Sequence, residues 1–337
     1  MADAILTQRV MTELVNSFKL DESLFGLRIF PVQPIDGIYA KWDIMAPNRT
    51  TGKARAQDGA SQTVDLMKVG DDSAQCFLVD LKKVLPEQIL AWLRAPGQMD
   101  NDDGRRRFRM ELEDLTRSVN RTYDRWCLGA LTGTLTTTVA QDGIAKSIDY
   151  QFPAANLPTA AANWQTASTD ILSDITTWKR VAAQASGIVP KEAYFNGTTA
   201  EAFQKNTAIR ALLTDTQNGR GTKKEMLETG FIGHVNGIDF YQTDDQYINA
   251  SGTAVDVIAD NKLIMVPGAE DRARTCGLQV GDQLVPNRQG TESSRVRGRF
   301  SYSQLQSDPV REEIHSGMNA LPVITVPGAF IYATTTP

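Results

Sequence analysis

Thr63-Val64-Asp65-Leu66-Met67-Lys68-Val69 and Gln75-Cys76-Phe77-Leu78-Val79-Asp80-Leu81 flank Gly70-Asp71-Asp72-Ser73 and read as two strands joined by a turn. The approach to them, Thr50-Thr51-Gly52-Lys53-Ala54-Arg55-Ala56-Gln57-Asp58-Gly59, is polar and poor in large apolar groups. An isolated hairpin is marginal in water. Val64, Leu66, Phe77 and Val79 therefore need cover that the local sequence does not offer. The expected cover is another copy of the same chain.

Outward from this hairpin, residues 20–47 read as an extended arm punctuated by Pro31, Pro34 and Pro47. Proline removes a ladder donor and biases its predecessor away from helix. Residues 3–18 show helical spacing of Ile5, Leu6, Val10, Leu14, Val15 and Phe18, with Asp3 at the N-cap position. The apolar stripe of that helix needs a docking surface, on its own domain or on a neighbour. On the other side of the hairpin, residues 86–93 read as a short helix.

The longest helical pattern covers residues 102–131, where Phe108, Leu112, Leu115, Val119, Tyr123, Trp126 and Ala130 line one side. Such a helix spans about 45 Å. Arg117, Arg121 and Arg125 form a basic stripe along it, whose ordinary reading is a solvated face. Beyond Gly133 come strands at 134–140 and 147–152, then a helix at 169–185 with Gly187 at its C-terminal cap. Ala193-Tyr194-Phe195 reads as a buried strand, and Thr198-Thr199-Ala200-Glu201 as a capping box. Asn236-Gly237 between apolar runs predicts a tight hairpin. Strands follow at 255–258 and 262–266, residues 282–307 read as polar and loop-rich, and two last strands fall at 321–326 and 329–333.

The 337 residues suffice for one large or two ordinary domains, and 41% hydrophobic with 22% charged residues suits a soluble globular chain. The formal net charge of -5, from 35 basic and 40 acidic side chains, argues against a dedicated nucleic-acid reader. That balance leaves room for a protein that merely encloses nucleic acid. Cys76, Cys127 and Cys276 are widely spaced and suggest neither a disulfide framework nor a zinc site. No signal peptide or membrane-spanning run is apparent, so an intracellular product with no membrane partner is expected.

Enzyme signatures are missing. Neither His234 nor His315 sits in a metal-ligand spacing. Gly52-Lys53 fails as a phosphate loop, because Pro47 replaces the first glycine and Ala54 the metal-binding hydroxyl. Asn218-Gly219-Arg220-Gly221 lacks the third glycine of a dinucleotide fingerprint. Arg105 stands where a calcium loop starting at Asp100 requires glycine. No catalytic residue, cofactor or metal site is expected.

The order of elements, together with Lys41-Trp42-Asp43-Ile44-Met45-Ala46-Pro47, Phe77-Leu78-Val79-Asp80-Leu81-Lys82-Lys83, Gly187-Ile188-Val189-Pro190-Lys191-Glu192-Ala193-Tyr194-Phe195-Asn196-Gly197 and Leu321-Pro322-Val323-Ile324-Thr325-Val326-Pro327-Gly328-Ala329-Phe330, resembles the lambda-type major capsid protein E family of tailed phages. Residues 161–179, with Trp164 ahead of the helix, carry the resemblance too. The resemblance implies an α+β chain of the HK-97-like capsid fold. Its parts would be an N-terminal arm (1–48), an extended loop (49–83), a peripheral domain with the long spine helix (84–155 and 311–337) and an axial domain (156–310). It further implies a structural subunit that self-assembles, as hexamers and pentamers, into an icosahedral head shell. That shell would enclose phage DNA without sequence-specific binding. The expected partners are a separate scaffolding protein (the chain begins directly at the arm), a portal and a decoration protein. The expected location is the virion, after assembly in the host cytoplasm. Val64, Leu66, Lys68, Phe77 and Val79 are the candidate inter-subunit contacts. Some shells of this fold crosslink a loop lysine to a neighbour; Lys68 lies near the tip, although lambda-type shells are not expected to crosslink. The alternative is an encapsulin-like cellular nanocompartment of the same fold.

Overall fold

The computed structural model describes residues 7–19, 24–46, 68–85, 102–139, 144–216, 230–248, 252–287, 292–307 and 310–337. In chain order these form α1 (Gln8–Ser17), α2 (Phe25–Ile29), β1 (Val32–Pro34), β2 (Tyr39–Ala46), β3 (Lys68–Gln75), β4 (Phe77–Leu85) and α3 (Asp102–Ala130). A hairpin of β5 (Thr134–Val139) and β6 (Ile144–Asp149) leads to α4 (Ile171–Ser186), β7 (Pro190–Phe195), α5 (Gly197–Lys205) and α6 (Thr207–Thr216). Then come β8 (Phe231–Val235), β9 (Ile238–Gln242), β10 (Gln246–Ile248), β11 (Ala254–Asp256), β12 (Lys262–Pro267) and α7 (Ala269–Thr275). The chain ends with β13 (Cys276–Val280), β14 (Asp282–Pro286), β15 (Ser293–Arg297), β16 (Phe300–Ser307), β17 (Val310–Ile324) and β18 (Ile331–Thr334).

Two compact units emerge. The first gathers Met1–Ala40, Ser73–Cys127 and Gly277–Val323, the second Lys41–Asp72, Leu128–Cys276 and Ile324–Pro337. These bounds differ from the cuts expected at 156 and 311. The strand β18 pairs with β12, so the C-terminus belongs with the central sheet, and 277–323 belongs with the spine helix.

The first unit is built on β17, which pairs antiparallel with β4 along Glu312–Ala320 and with β16 along Val310–Gly317. The strand β13 also joins β17, and β1 lies parallel to β13 with Val32 opposite Leu278. One face of α3 is apolar at helical spacing, and Phe108, Leu112 and Leu115 bury into a core with Met11, Val15, Phe18, Leu85 and Ile314. The N-terminal helix thus docks on its own chain. Asp3 lies outside the described residues, and Thr7 stands at the helix's N-cap.

The expected arm is not free-running either. Leu24, Phe25, Ile29 and Phe30 are buried, and a short helix interrupts the extension. A side chain at Gly26 would meet the carbonyl of Asp124 at 2.5 Å, while the Asp124 carboxylate accepts the N–H of Leu27 at 3.1 Å. That close approach holds α2 against the spine helix.

The second unit is a five-stranded sheet in the order β18-β12-β7-β9-β8, in which only β7 and β9 run parallel. A parallel pair needs a long crossover, and α5 and α6 supply it. One sheet face (Phe195, Phe240, Leu263, Met265, Ile331) buries against Ile171, Ile175 and Trp178 of α4 and Phe203 of α5. Asp170 caps α4 by accepting from Ser173 N at 3.1 Å, and Gly187 ends it at φ 78°. The predicted Asn236-Gly237 turn joins β8 to β9, with φ of 53° and 76°. The helix foreseen after Thr198 begins earlier: Asn196 is its cap and accepts from Thr199 N at 3.0 Å.

Within the stretch expected as loops, residues 282–286, 293–297 and 300–307 form β14, β15 and β16. Their polar outer sides hide the alternation, while Val285, Phe300 and Tyr302 pack as a small buried cluster.

Candidate functional site: a ribbon and the strand that anchors it

The opening hairpin is rearranged. Gly70, Asp71, Asp72 and Ser73, expected as a turn, lie inside β3, which pairs with β2 rather than with β4. Residues 47–67, which join β2 to β3, lie outside the described residues, and with them Val64 and Leu66. The residues expected to turn are small and polar; long-range pairing holds them extended, which local turn preference does not report.

Among the described residues β2 and β3 pair only with each other. Lys68 opens β3. The described part of the ribbon is polar, with Lys41, Asp43, Gly70, Asp71, Ser73 and Gln75 exposed. Its base is tied down. Met45 N donates to Thr325 O at 2.7 Å, Trp42 is buried with its ring 6.4 Å from Tyr150, and Cys76 N donates to Ile38 O at 2.9 Å.

From Phe77 onward the chain is covered from within. Phe77 and Val79 are 7% and 9% exposed, whereas Leu78 is 47% exposed, so β4 alternates strictly here. The Phe77 ring meets Trp126 of α3 edge-on at 5.4 Å. Tyr123, fully buried, donates its hydroxyl to the carbonyl of Phe77 at 2.7 Å and also approaches that of Met318. Burial drives the Tyr123 hydroxyl's pKa far up, so it stays a donor. Phe77 and Val79, expected as inter-subunit contacts lacking cover, pack against their own spine helix and sheet. Their partners lie 46 or more residues away in sequence, so local reading could not supply them.

Lys83 extends the same anchorage, with Nζ 2.8 Å from Glu111 and 2.6 Å from Asp114. Burial works to lower its pKa; the hydrogen bonds it donates to Asp114 and Glu111 outweigh that and raise it. The bond from Lys83 lowers the pKa of Asp114 in turn.

On the opposite face of the sheet, β4, β16 and β17 share a polar cluster. The Tyr302 hydroxyl donates to Asp80 at 3.0 Å, the Tyr302 ring stacks on His315 at 4.4 Å, and His315 Nδ1 stands 3.4 Å from Asp80. Lys82 pairs with Glu313 at 3.1 Å, and Gln306 donates to the same carboxylate at 2.7 Å. Burial, followed by the nearby Asp80 charge, pushes the Tyr302 hydroxyl upward. Each group is committed to a strand neighbour, which suits a fastening role.

A second knot ties the loop before β2 to the β14–β15 hairpin. Asp282 accepts from Gly37 N at 2.7 Å, from Arg297 Nε at 3.0 Å and from Arg295, while Arg297 also reaches Asp36. The Arg295 bond first, then Gly37 N–H and Arg297, hold its carboxyl well below the usual carboxylate range. A depressed folded pKa gives stability that is full above the unfolded value of about 3.9 and is lost as pH falls through the folded one. Asp282→Asn is therefore expected to lower the melting temperature at pH 7. The gap to wild type should narrow steadily as pH falls from roughly 4 to 2; a gap that stays constant in thermal scans across that window would refute this account.

Local motif reading missed Lys83, Asp80, Tyr302, His315 and Asp282 as organisers, because their partners are brought up by the fold. The three cysteines are buried, and burial lifts Cys76 to about 11 and Cys276 to about 12. Among the described residues no helix is long and apolar enough to cross a membrane. None of their His, Cys, Asp and Glu side chains group into a metal-holding set.

A spine helix against a long-stranded sheet, a second α/β unit and a paired ribbon define an α+β fold of the HK-97-like capsid class. Solved structures share it. A prophage protein assigned as a capsid protein, from Escherichia coli CFT073, superposes with TM-score 0.64 at 13% identity over 98% of this chain and 99% of that one. A phage-related protein of Bordetella bronchiseptica RB50 gives 0.58 at 11% identity, over 98% and 97%. The SrpI encapsulin of Synechococcus elongatus PCC 7942 gives 0.51 at 9%, over 93% and 87%. At these identities the likeness concerns fold alone. No curated protein sequence matches the chain. The model of the phage major capsid protein E family matches residues 7–335, and the chain belongs to that family. It is a subunit of a multi-subunit phage capsid, and its place is the virion shell.

Proposed function

We propose that copies of this chain close into an icosahedral head shell of hexamers and pentamers around phage DNA, with the ribbon reaching onto the adjacent subunit. The observation that carries this reading is the ribbon itself. The strands β2 and β3 pair only with each other among the described residues, while β4 is fastened to the spine helix at their base. A two-stranded ribbon is marginal alone, and a neighbouring copy would complete it. Many modest contacts of this kind, repeated by symmetry, sum to a stable shell. Assembly in the host cytoplasm on a separate scaffolding protein, a portal at one vertex and an added decoration protein belong to the same reading. The DNA is enclosed without sequence preference.

Leu66→Asp is expected to leave a folded, soluble subunit and to abolish shells in negative-stain images of protein co-expressed with its neighbours. Normal shells from that variant would sink the ribbon's assigned role. The SrpI likeness supports a cellular nanocompartment only at the level of fold, and the family match favours the phage head. Purified shells filled with a protein cargo instead of DNA would reverse that preference.

A further inference from the structure

In the sheet of the first unit, β1, β4 and β16 each pair with a strand on one side only, among the described residues. Such an edge invites pairing with another chain unless something blunts it. Two of the three carry their own protection. The strand β1 is three residues long and includes Pro34, and β4 carries Asp80, Lys82 and Lys83. The third, β16, reads Phe300-Ser301-Tyr302-Ser303-Gln304-Leu305-Gln306-Ser307 and has no charge, no proline and no glycine.

The strand without protection is the one that α1 covers. Thr12 Oγ1 donates to Ser301 O at 3.1 Å and accepts from Ser301 N at 3.3 Å. One side chain thus satisfies both backbone groups of an edge residue, as the facing residue of a strand would. Asn16 Nδ2 donates to Arg299 O at 3.3 Å, and Gln8 shares a side-chain hydrogen bond with Ser294 of β15. Gln8, Thr12 and Asn16 recur every four residues, so one stripe of the helix meets this edge. Met11, Val15 and Phe18 hold the helix in place from the core side.

We propose that α1 is a guard on this edge. It occupies the place where β16 of a second copy would pair, and so keeps subunits from joining sheet to sheet. Two antiparallel copies of β16 would meet about a two-fold axis. A strand without charges sets no like charges opposite one another, so nothing in β16 itself opposes that pairing. The guard acts on the free subunit and holds whether or not shells form.

The test uses the full-length chain carrying Met11→Asp/Val15→Asp, because two carboxylates cannot enter the apolar seat of α1. Its mass is measured by sedimentation at a concentration where wild-type subunits are single. Twice the subunit mass is expected, and an unchanged single mass overturns the guard. Leu305→Pro is then added to the same variant. Outward backbone groups recur at every second residue from Ser301, so the Leu305 N–H points off the sheet. Proline there removes a donor that a second copy needs and leaves pairing with β17 intact. The mass should return to that of one subunit. Association that persists with the proline in place comes from the uncovered apolar seat and overturns the guard. Where the release variant is insoluble, the same proline decides: recovered solubility supports edge pairing, and continued insolubility refutes it.

Discussion

Val79→Asp is expected to destroy the subunit, and not merely its assembly. Val79 lies on the inward side of β4, 9% exposed, opposite Met318 of β17 and two residues beyond the Phe77 ring that rests on Trp126. A carboxylate placed there meets apolar neighbours and has no designated partner, a cost of several kcal/mol. Domains of this size are stable by only about 5–15 kcal/mol in total. The protein should collect as insoluble material, or melt far below wild type where soluble. Leu78→Asp supplies the contrast. One residue away, Leu78 is 47% exposed on the other side of the strand, and its variant should fold with a near-normal melting curve. If Val79→Asp folds normally and loses only shells, the cover at Val79 comes from a neighbour and the intrachain packing described above is wrong.

Phe203→Ala should have a comparable effect on the second unit. Phe203 is fully buried where α5 crosses the sheet, with ring centroids 4.6 Å from Phe240, 5.5 Å from Phe195 and 6.4 Å from Trp164. Truncation leaves a cavity framed by rigid aromatic groups that cannot collapse into it. The expected loss is about 3–5 kcal/mol, which lowers the melting transition by roughly 10 °C or more. Trp164 and Trp178, stacked at 5.4 Å beside the cavity, report the transition by fluorescence. Phe203→Leu should recover most of the loss. A shift of under about 2 °C for the alanine variant would mean that the aromatic cluster does not hold this unit together.

The two predictions mark what local sequence could and could not reveal. Phe203 belongs to helical and strand patterns that were legible residue by residue: α3, α4 and the Asn236-Gly237 hairpin all fall where periodicity and turn chemistry place them. Their signal is short-range, since a helix repeats its buried face every three or four residues and a tight turn needs positive φ at two adjacent positions. Val79 is the opposite case. Its strand was foreseen, but its partner β17 was foreseen only at its far end, because Arg311, Glu312, Glu313, Ser316 and Gly317 do not look like the centre of a sheet. Glu313 is tolerated there because Lys82 and Gln306 meet it. The strands β14–β16 escaped notice for the same reason, Arg295 and Arg297 of β15 being satisfied by Asp282 across the β14–β15 pair.

The candidate site was readable only in part. The weakness of an isolated ribbon followed from composition, and so did the missing catalytic motifs. Which strands make the ribbon did not, because pairing register is chosen by long-range partners and costs nothing that a short window can register. By itself, then, the sequence determined the helices, the tight turn and the family resemblance, all carried by local periodicity or by ordered motifs. Only the tertiary structure decided that β3 turns back on β2, and that Phe77 and Val79 are covered by their own chain. Those outcomes depend on groups up to hundreds of residues apart coming within a few ångströms, a distance that folding alone closes.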